Sequence, residues 1–125
     1  MKVSTPQQAL PDAVFEAGCP SRVVMDHVMS KWGLLVLLAL SDGEPVRWSE
    51  LRRRADGVSE KMLAQTLRTL AADGFVRRDA HPVVPPHVEY SLTARGLELT
   101  ALLTPLMVWM VEHAPAIVAE SSRSR

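Results

Sequence analysis

Apolar residues along this chain recur first at helical spacings and later at strand spacings, and the change of period marks the elements. Val23, Val24, His27 and Val28 share one face of a helix that opens at Pro20, a residue whose fixed φ suits the first helical position. Residues 31–40 are nearly all apolar and stop at Ser41-Asp42-Gly43, which predicts a short central helix buried on most sides. Gly33 is expected to weaken the start of that helix locally. After the Glu44-Pro45 turn, residues 46–48 suit a short strand. Ser49 then serves as the cap of a third helix through Glu50, Leu51, Arg52, Arg53 and Arg54, ended by Asp56-Gly57. Ser59 caps a fourth helix, with Glu60 favoured in its first turn, and that helix runs to Asp73-Gly74.

Beyond Gly74 the period becomes two. Residues 75–79 and 88–92 read as strands, separated by His81-Pro82-Val83-Val84-Pro85-Pro86-His87, a connector that cannot continue a ladder and therefore forms an elongated hairpin tip. Thr93 starts a long helical stretch to about His113, where Pro105 makes a kink and a break into two helices equally admissible. Residues 1–17 read as a flexible arm with some helical tendency near 13–17, and residues 115–125 as a tail whose end, 121–125, is expected to be disordered. The expected domain spans residues 18–114, with its candidate functional part at 46–93.

Helix, helix, helix, strand, turn, strand is the plan of a winged helix-turn-helix, so the fold class is mainly α with a small β-hairpin. The first and last helices bracket the winged part and are read as dimerisation helices. Leu99, Leu102, Leu103, Leu106 and Met110 supply more apolar surface than a lone surface helix needs, which favours burial against a second copy. Core contacts are expected from Trp32, Leu35, Leu38, Leu51, Leu63, Leu67, Leu70 and Val76.

The fourth helix carries the chemistry. With 100° per residue, Leu63, Leu67 and Leu70 share one side, whereas Lys61, Gln65, Arg68 and Ala72 lie opposite. Gln can read adenine with two hydrogen bonds, Arg can read guanine, and Lys or Thr can hold phosphate, so this face suits a major groove. The chain has 14 basic and 14 acidic side chains, yet residues 46–78 hold eight basic against four acidic ones. The presumed reading half is therefore positive and the remainder negative. The candidate DNA-binding set is Arg52, Arg53, Arg54, Ser59, Lys61, Gln65, Thr66, Arg68, Thr69, Arg77, Arg78 and His87.

Composition narrows the classes. At 125 residues, 47% hydrophobic and 22% charged, the chain fits one folded domain. Its one cysteine excludes an intrachain disulfide, a two-cysteine zinc ribbon and a CxxC redox motif. The opening residues lack an apolar h-region and the run at 32–40 is too short to span a bilayer, so neither secretion nor a membrane partner is expected, and the cytoplasm is the expected compartment.

Cys19-Pro20, Lys31-Trp32, Leu51-Arg52, Ser59-x-Lys61-Met62-Leu63-x-Gln65-x-Leu67-Arg68-x-Leu70, Asp73-Gly74, residues 84–93 (Val-Pro-Pro-His-Val-Glu-Tyr-Ser-Leu-Thr), Gly96 and Trp109 together resemble the HxlR family of bacterial transcriptional regulators. The resemblance covers residue 19 to about residue 113. It implies a winged helix-turn-helix homodimer on an inverted-repeat (palindromic) operator in double-stranded DNA, with the segment after the hairpin and the N-terminal helix building the dimer. It also implies that a cysteine at the place of Cys19 serves, in some members, to detect oxidants or electrophiles.

Cys19 stands before Pro20 at a helix start, where thiolate is favoured; the alternative is a small buried apolar residue. His27 lies on an apolar face and reads as a packed or interface histidine. His81 and His87 could chelate a metal, but phosphate contact by the wing is preferred, so no metal and no cofactor is assigned. Met25, Met29, Met107 and Met110 could line a cavity for a small-molecule effector or form a dimer seam. No catalytic constellation is present, so an enzyme is not expected. The expected function is a DNA-binding transcriptional regulator, a repressor responsive through Cys19; the rivals are a winged-helix protein-interaction module and a small-molecule or metal sensor without thiol chemistry.

Overall fold

A computed structural model describes residues 10–123. Of the expected arm, residues 1–9 lie outside the described residues, and Asp12–Phe15 form one 3-10 turn. Helix α1 (Pro20–Val28) begins at Pro20 with Cys19 as its N-cap, as the proline chemistry requires. Helix α2 (Lys31–Ala39) follows after one sharp bend, capped by Ser30, whose Oγ accepts from the Gly33 N–H at 3.1 Å.

Gly33 is not the weak point expected of it. A Cβ there would run into the carbonyl oxygen of His27, so the bare backbone lets α2 start directly beneath the end of α1. The core positions of α2 also differ from the expected Trp32, Leu35 and Leu38. Gly33, Val36, Leu37 and Leu40 are buried, while Trp32 and Leu38 are half-buried and pack against them. A helix apolar on every side gives no phase from which to choose its inner face.

Strand β1 (Val46–Arg47) passes straight into helix α3 (Trp48–Arg54), so Arg47, not Ser49, is the N-cap, and it makes no side-chain cap bond. The physical reason is Trp48: its half-buried ring tilts against Tyr90 at 6.5 Å, and this packing draws the residue before the serine into the helix. Helix α4 (Glu60–Ala72) is capped by Ser59, whose Oγ accepts from Met62 N–H at 3.1 Å. Gly57, with φ +93°, makes the turn between α3 and α4.

Strands β2 (Val76–His81) and β3 (His87–Leu92) form the wing, and β1 adds to β3, giving a three-stranded antiparallel sheet in the order β1-β3-β2 rather than an isolated hairpin. The ladder also runs further than expected: His81 pairs with His87, leaving only residues 82–86 as the tip. Val76, Tyr90 and Leu92 face the core formed with Leu51, Leu63, Leu67 and Leu70.

Helix α5 (Ala94–Arg123) is one continuous helix of 30 residues. It does not break into two helices at Pro105, and it runs on past 115, where a tail is expected; residues 124–125 of that tail lie outside the described residues. Pro105 is exposed, so the Ala101 carbonyl deprived of its hydrogen bond can turn to water, and Thr104 Oγ1 donates to the Thr100 carbonyl at 2.8 Å to hold that turn. Only Gly96, Thr100 and Leu103 of α5 are buried. An 18-residue window of α5 reaches a mean hydropathy of 1.5 with 6% of it buried, so by length and composition alone it matches a membrane span. Its first turns are nonetheless packed on β3 and α2.

Candidate nucleic-acid interface

The candidate surface rests on α4. Leu63, Leu67 and Leu70 are buried, at 0%, 3% and 0% exposure, and anchor the helix from behind. Lys61, Gln65, Arg68 and Ala72 are exposed on the opposite side, and Thr66 and Thr69 lie half-buried at its border. Between α4 and α1 runs a shallow groove of about 150 Å³ lined by His27, Ser30, Met62, Gln65, Thr66 and Thr69. On the other flank, Arg68 of α4 and Arg78 of β2 line one depression with Tyr90 at its floor, so the wing and the helix meet there with two guanidiniums.

The arginines of the candidate set are not equivalent. Arg53 and Arg54 both bind the Glu50 carboxylate, the latter through Nε at 3.2 Å, and Arg52 lies 3.3 Å from Glu60. Arg54 Nη1 also donates to the Ala39 carbonyl at 2.6 Å, which ties α3 to the end of α2. By contrast, among the described residues Lys61, Arg68, Arg77 and Arg78 have neither an ion pair nor a side-chain hydrogen bond. The positive charge free for a polyanion therefore sits on α4 and the wing more than on the Arg52-Arg53-Arg54 run. Ser59 is exposed but its hydroxyl is committed to capping. His87 is at the wing tip, half-buried and stacked on His81 at 4.6 Å.

Cys19 stands apart from this surface, half-buried at the start of α1, with Sγ 3.0 Å from Ser21 Oγ. The Ser21 hydroxyl bond lowers the thiol pKa most and the Ser21 backbone N–H next; burial opposes them, and the Arg22 backbone N–H and charge add lesser lowering effects. Sequence reasoning attributed the effect to the helix terminus and missed Ser21, although it lies only two residues on.

The sequence also missed His27 as a positioning residue. Its Nδ1 lies 2.6 Å from Asp73 Oδ2, which clasps α1 to the C-cap of α4. No spacing rule links positions 46 residues apart.

Residues 27–117 match the model of the HxlR-like helix-turn-helix family. The chain belongs to the HxlR family. It is 49% identical over 118 residues to the HTH-type transcriptional regulator YtfH of Escherichia coli (strain K12), an alignment covering 94% of this chain and 93% of that one. Among solved structures it is similar to the transcriptional regulator ytfH of Salmonella typhimurium, at 50% identity and a TM-score of 0.81, with 90% of this chain and 97% of that chain covered. It is also similar to the redox regulator HypR in its oxidised form, at 35% identity and a TM-score of 0.68, covering 75% and 96% of the two chains. HxlR membership makes the chain a transcriptional regulator of the helix-turn-helix type, a class that implies DNA binding and generally lacks enzymatic activity.

Proposed function

We propose that this chain is a cytoplasmic, homodimeric repressor that binds an inverted-repeat operator through α4 and the wing, and that Cys19 makes it responsive to oxidants or electrophiles. The observation that carries the DNA reading is the exposed Lys61-Gln65-Arg68 stripe backed by buried leucines and joined by Arg78 of the wing, which is unpaired among the described residues. Gln65 and Arg68 read base edges; Lys61, Thr66, Thr69, Arg77, Arg78 and His87 contact phosphate, with Arg52, Arg53 and Arg54 as a secondary rim.

Two apolar surfaces support the dimer. Val23, Val24, Met25 and Met29 are exposed on α1, and Leu102, Leu106, Trp109, Val111, Ile117 and Val118 on α5. Such surface calls for a partner, and a second copy meeting it through a two-fold axis would place two α4 helices in successive major grooves. Burial between copies also accounts for α5 better than lipid does, because its first turns belong to the winged domain's core. For Cys19, support comes from its lowered pKa and from the likeness to a protein described as a redox regulator.

The test is binding to duplexes from the region upstream of the chain's own gene. Gln65→Ala should relax preference at one base pair, worth about 1 to 3 kcal/mol, and Arg78→Ala should weaken all sequences alike and reduce the salt slope. Cys19→Ser should bind with unchanged affinity and lose the response to oxidant. Wild-type affinity in both DNA variants would overturn the reading surface, and an oxidant response surviving in Cys19→Ser would overturn the thiol. Light scattering at micromolar concentration should report a dimer.

A further inference from the structure

We infer that the wing carries a site for a divalent transition-metal ion, held by His81, His87 and Glu89. The sheet register brings the three together. His81 and His87 are direct cross-strand partners at the end of the ladder, and Glu89 lies two residues after His87, so all three side chains leave the same face. Their ligand atoms lie within 4.8 Å of one another. The two imidazoles stack at 4.6 Å with an interplanar angle of 27°, and His81 Nε2 is 2.9 Å from Glu89 Oε1.

A plain histidine–carboxylate pair explains only part of this arrangement. It accounts for His81 and Glu89, but it leaves the His87 ring, which has no side-chain hydrogen bond among the described residues, lying against the first ring. A shared ion accounts for all three. Donors around a tetrahedral ion with bonds of about 2.0 Å are separated by about 3.3 Å, so the trio reaches ligating geometry through rotamer changes on the order of an ångström.

The donor set selects the metal. Two imidazoles and one carboxylate suit Zn²⁺, and by the same nitrogen chemistry Co²⁺, Ni²⁺ or Cu²⁺, whereas Ca²⁺ and Mg²⁺ want a shell of oxygens. All three residues are half-buried, which leaves the site open to an entering ion. The frame is also stiff. Pro82, Pro85 and Pro86 restrict the five-residue tip that joins the two histidines. Arg47 and Asp79 flank Glu89 from the neighbouring strands in the same row of the sheet. Asp79 shares the ligand face but stands outside the group of three whose donor atoms come together, so water completes the shell of a bound ion.

The site is argued from the wing alone and stands whether or not the wing meets DNA, so metal ions by themselves are the probe. Titration of the full chain with Co²⁺ should produce visible absorption bands saturating at one ion per chain, and Zn²⁺ should displace it. Cys19→Ser and His113→Gln should bind as the wild type does. His81→Gln and His87→Gln should each lose at least about tenfold in affinity while keeping the metal-free circular dichroism spectrum. The imidazole resonances of His81 and His87 in the wild type should shift with Zn²⁺ while those of His27 and His113 stay, a reading that requires no variant. Absence of saturable binding, unchanged binding in the two wing variants, or loss of binding in Cys19→Ser would overturn the site.

Discussion

His27 Nδ1 lies 2.6 Å from Asp73 Oδ2, and this single contact ties the helix that bears Cys19 to the end of the helix that carries Gln65 and Arg68. An ionised carboxylate can only accept, so the imidazole nitrogen donates. The pair is partly exposed, at 31% and 22% for the two side chains, which tempers its strength. His27→Ala should therefore cost about 1 kcal/mol in urea unfolding, and Asp73→Asn less. If the midpoint does not move, the contact has no structural weight.

Arg54 and Arg68 should separate stability from DNA reading. Arg54 is bound to Glu50 and to the Ala39 carbonyl, whereas Arg68 is exposed without a partner among the described residues. Arg54→Ala should lower stability by about 1 kcal/mol, and Arg68→Ala should leave unfolding unchanged while weakening duplex binding. Calorimetry beside a gel shift distinguishes them; equal unfolding midpoints for the two variants would contradict the assignment.

Glycine substitutions should divide by what a methyl group would meet. At Gly96 a Cβ would strike the backbone oxygen of Phe75, and at Gly33 that of His27, whereas at Gly18 nothing lies within 4 Å. Gly96→Ala and Gly33→Ala should each destabilise by about 1–3 kcal/mol, because a backbone oxygen cannot swing aside as a side chain can. Gly18→Ala should fall within about 0.5 kcal/mol of wild type. Thermal unfolding of the three side by side is the check.

Thiol reactivity should report Ser21. Because its hydroxyl bond is the largest influence lowering the Cys19 pKa, more of the thiol is ionised at a given pH than in an ordinary cysteine. The rate of iodoacetamide alkylation plotted against pH should thus be displaced to the acid side of a free-cysteine peptide, and Ser21→Ala should displace it back. Coincident curves for the wild type and Ser21→Ala would remove Ser21 from the account.

Local chemistry explains which parts were legible in the sequence. The faces of α4 could be read because its leucines recur at helical spacing against a polar background, and its capping serine is followed directly by an acidic first turn. The pairing of β1 with β3 could not, since a two-residue strand carries no period and Val46 meets Tyr90 from far along the chain. The wing's end was misplaced because His81 and His87 border prolines, which mask a ladder that continues until the proline itself. Likewise Pro105 left a kink and a break equally admissible, and its exposure together with the Thr104 bond to the Thr100 carbonyl accounts for the helix continuing through it. The Glu50 and Glu60 carboxylates that occupy Arg52, Arg53 and Arg54 were visible as residues but not as partners, so charge counting overstated what that run can offer.

Helix α5 extends about 45 Å, and its buried residues all lie in the first third. Beyond Leu103 one side of the helix, Thr104, Met107, Val108 and Val111, still borders Leu38 and Ser41 at the end of α2, while Leu106, Trp109, Ile117 and Val118 stand exposed. The winged head's folding is a unimolecular matter, set by its leucines. If the proposed dimer forms through α5, the rod's persistence varies with protein concentration: dilution should fray it from Arg123 inward while the head stays intact, so helicity falls before any tryptophan in the head senses a change.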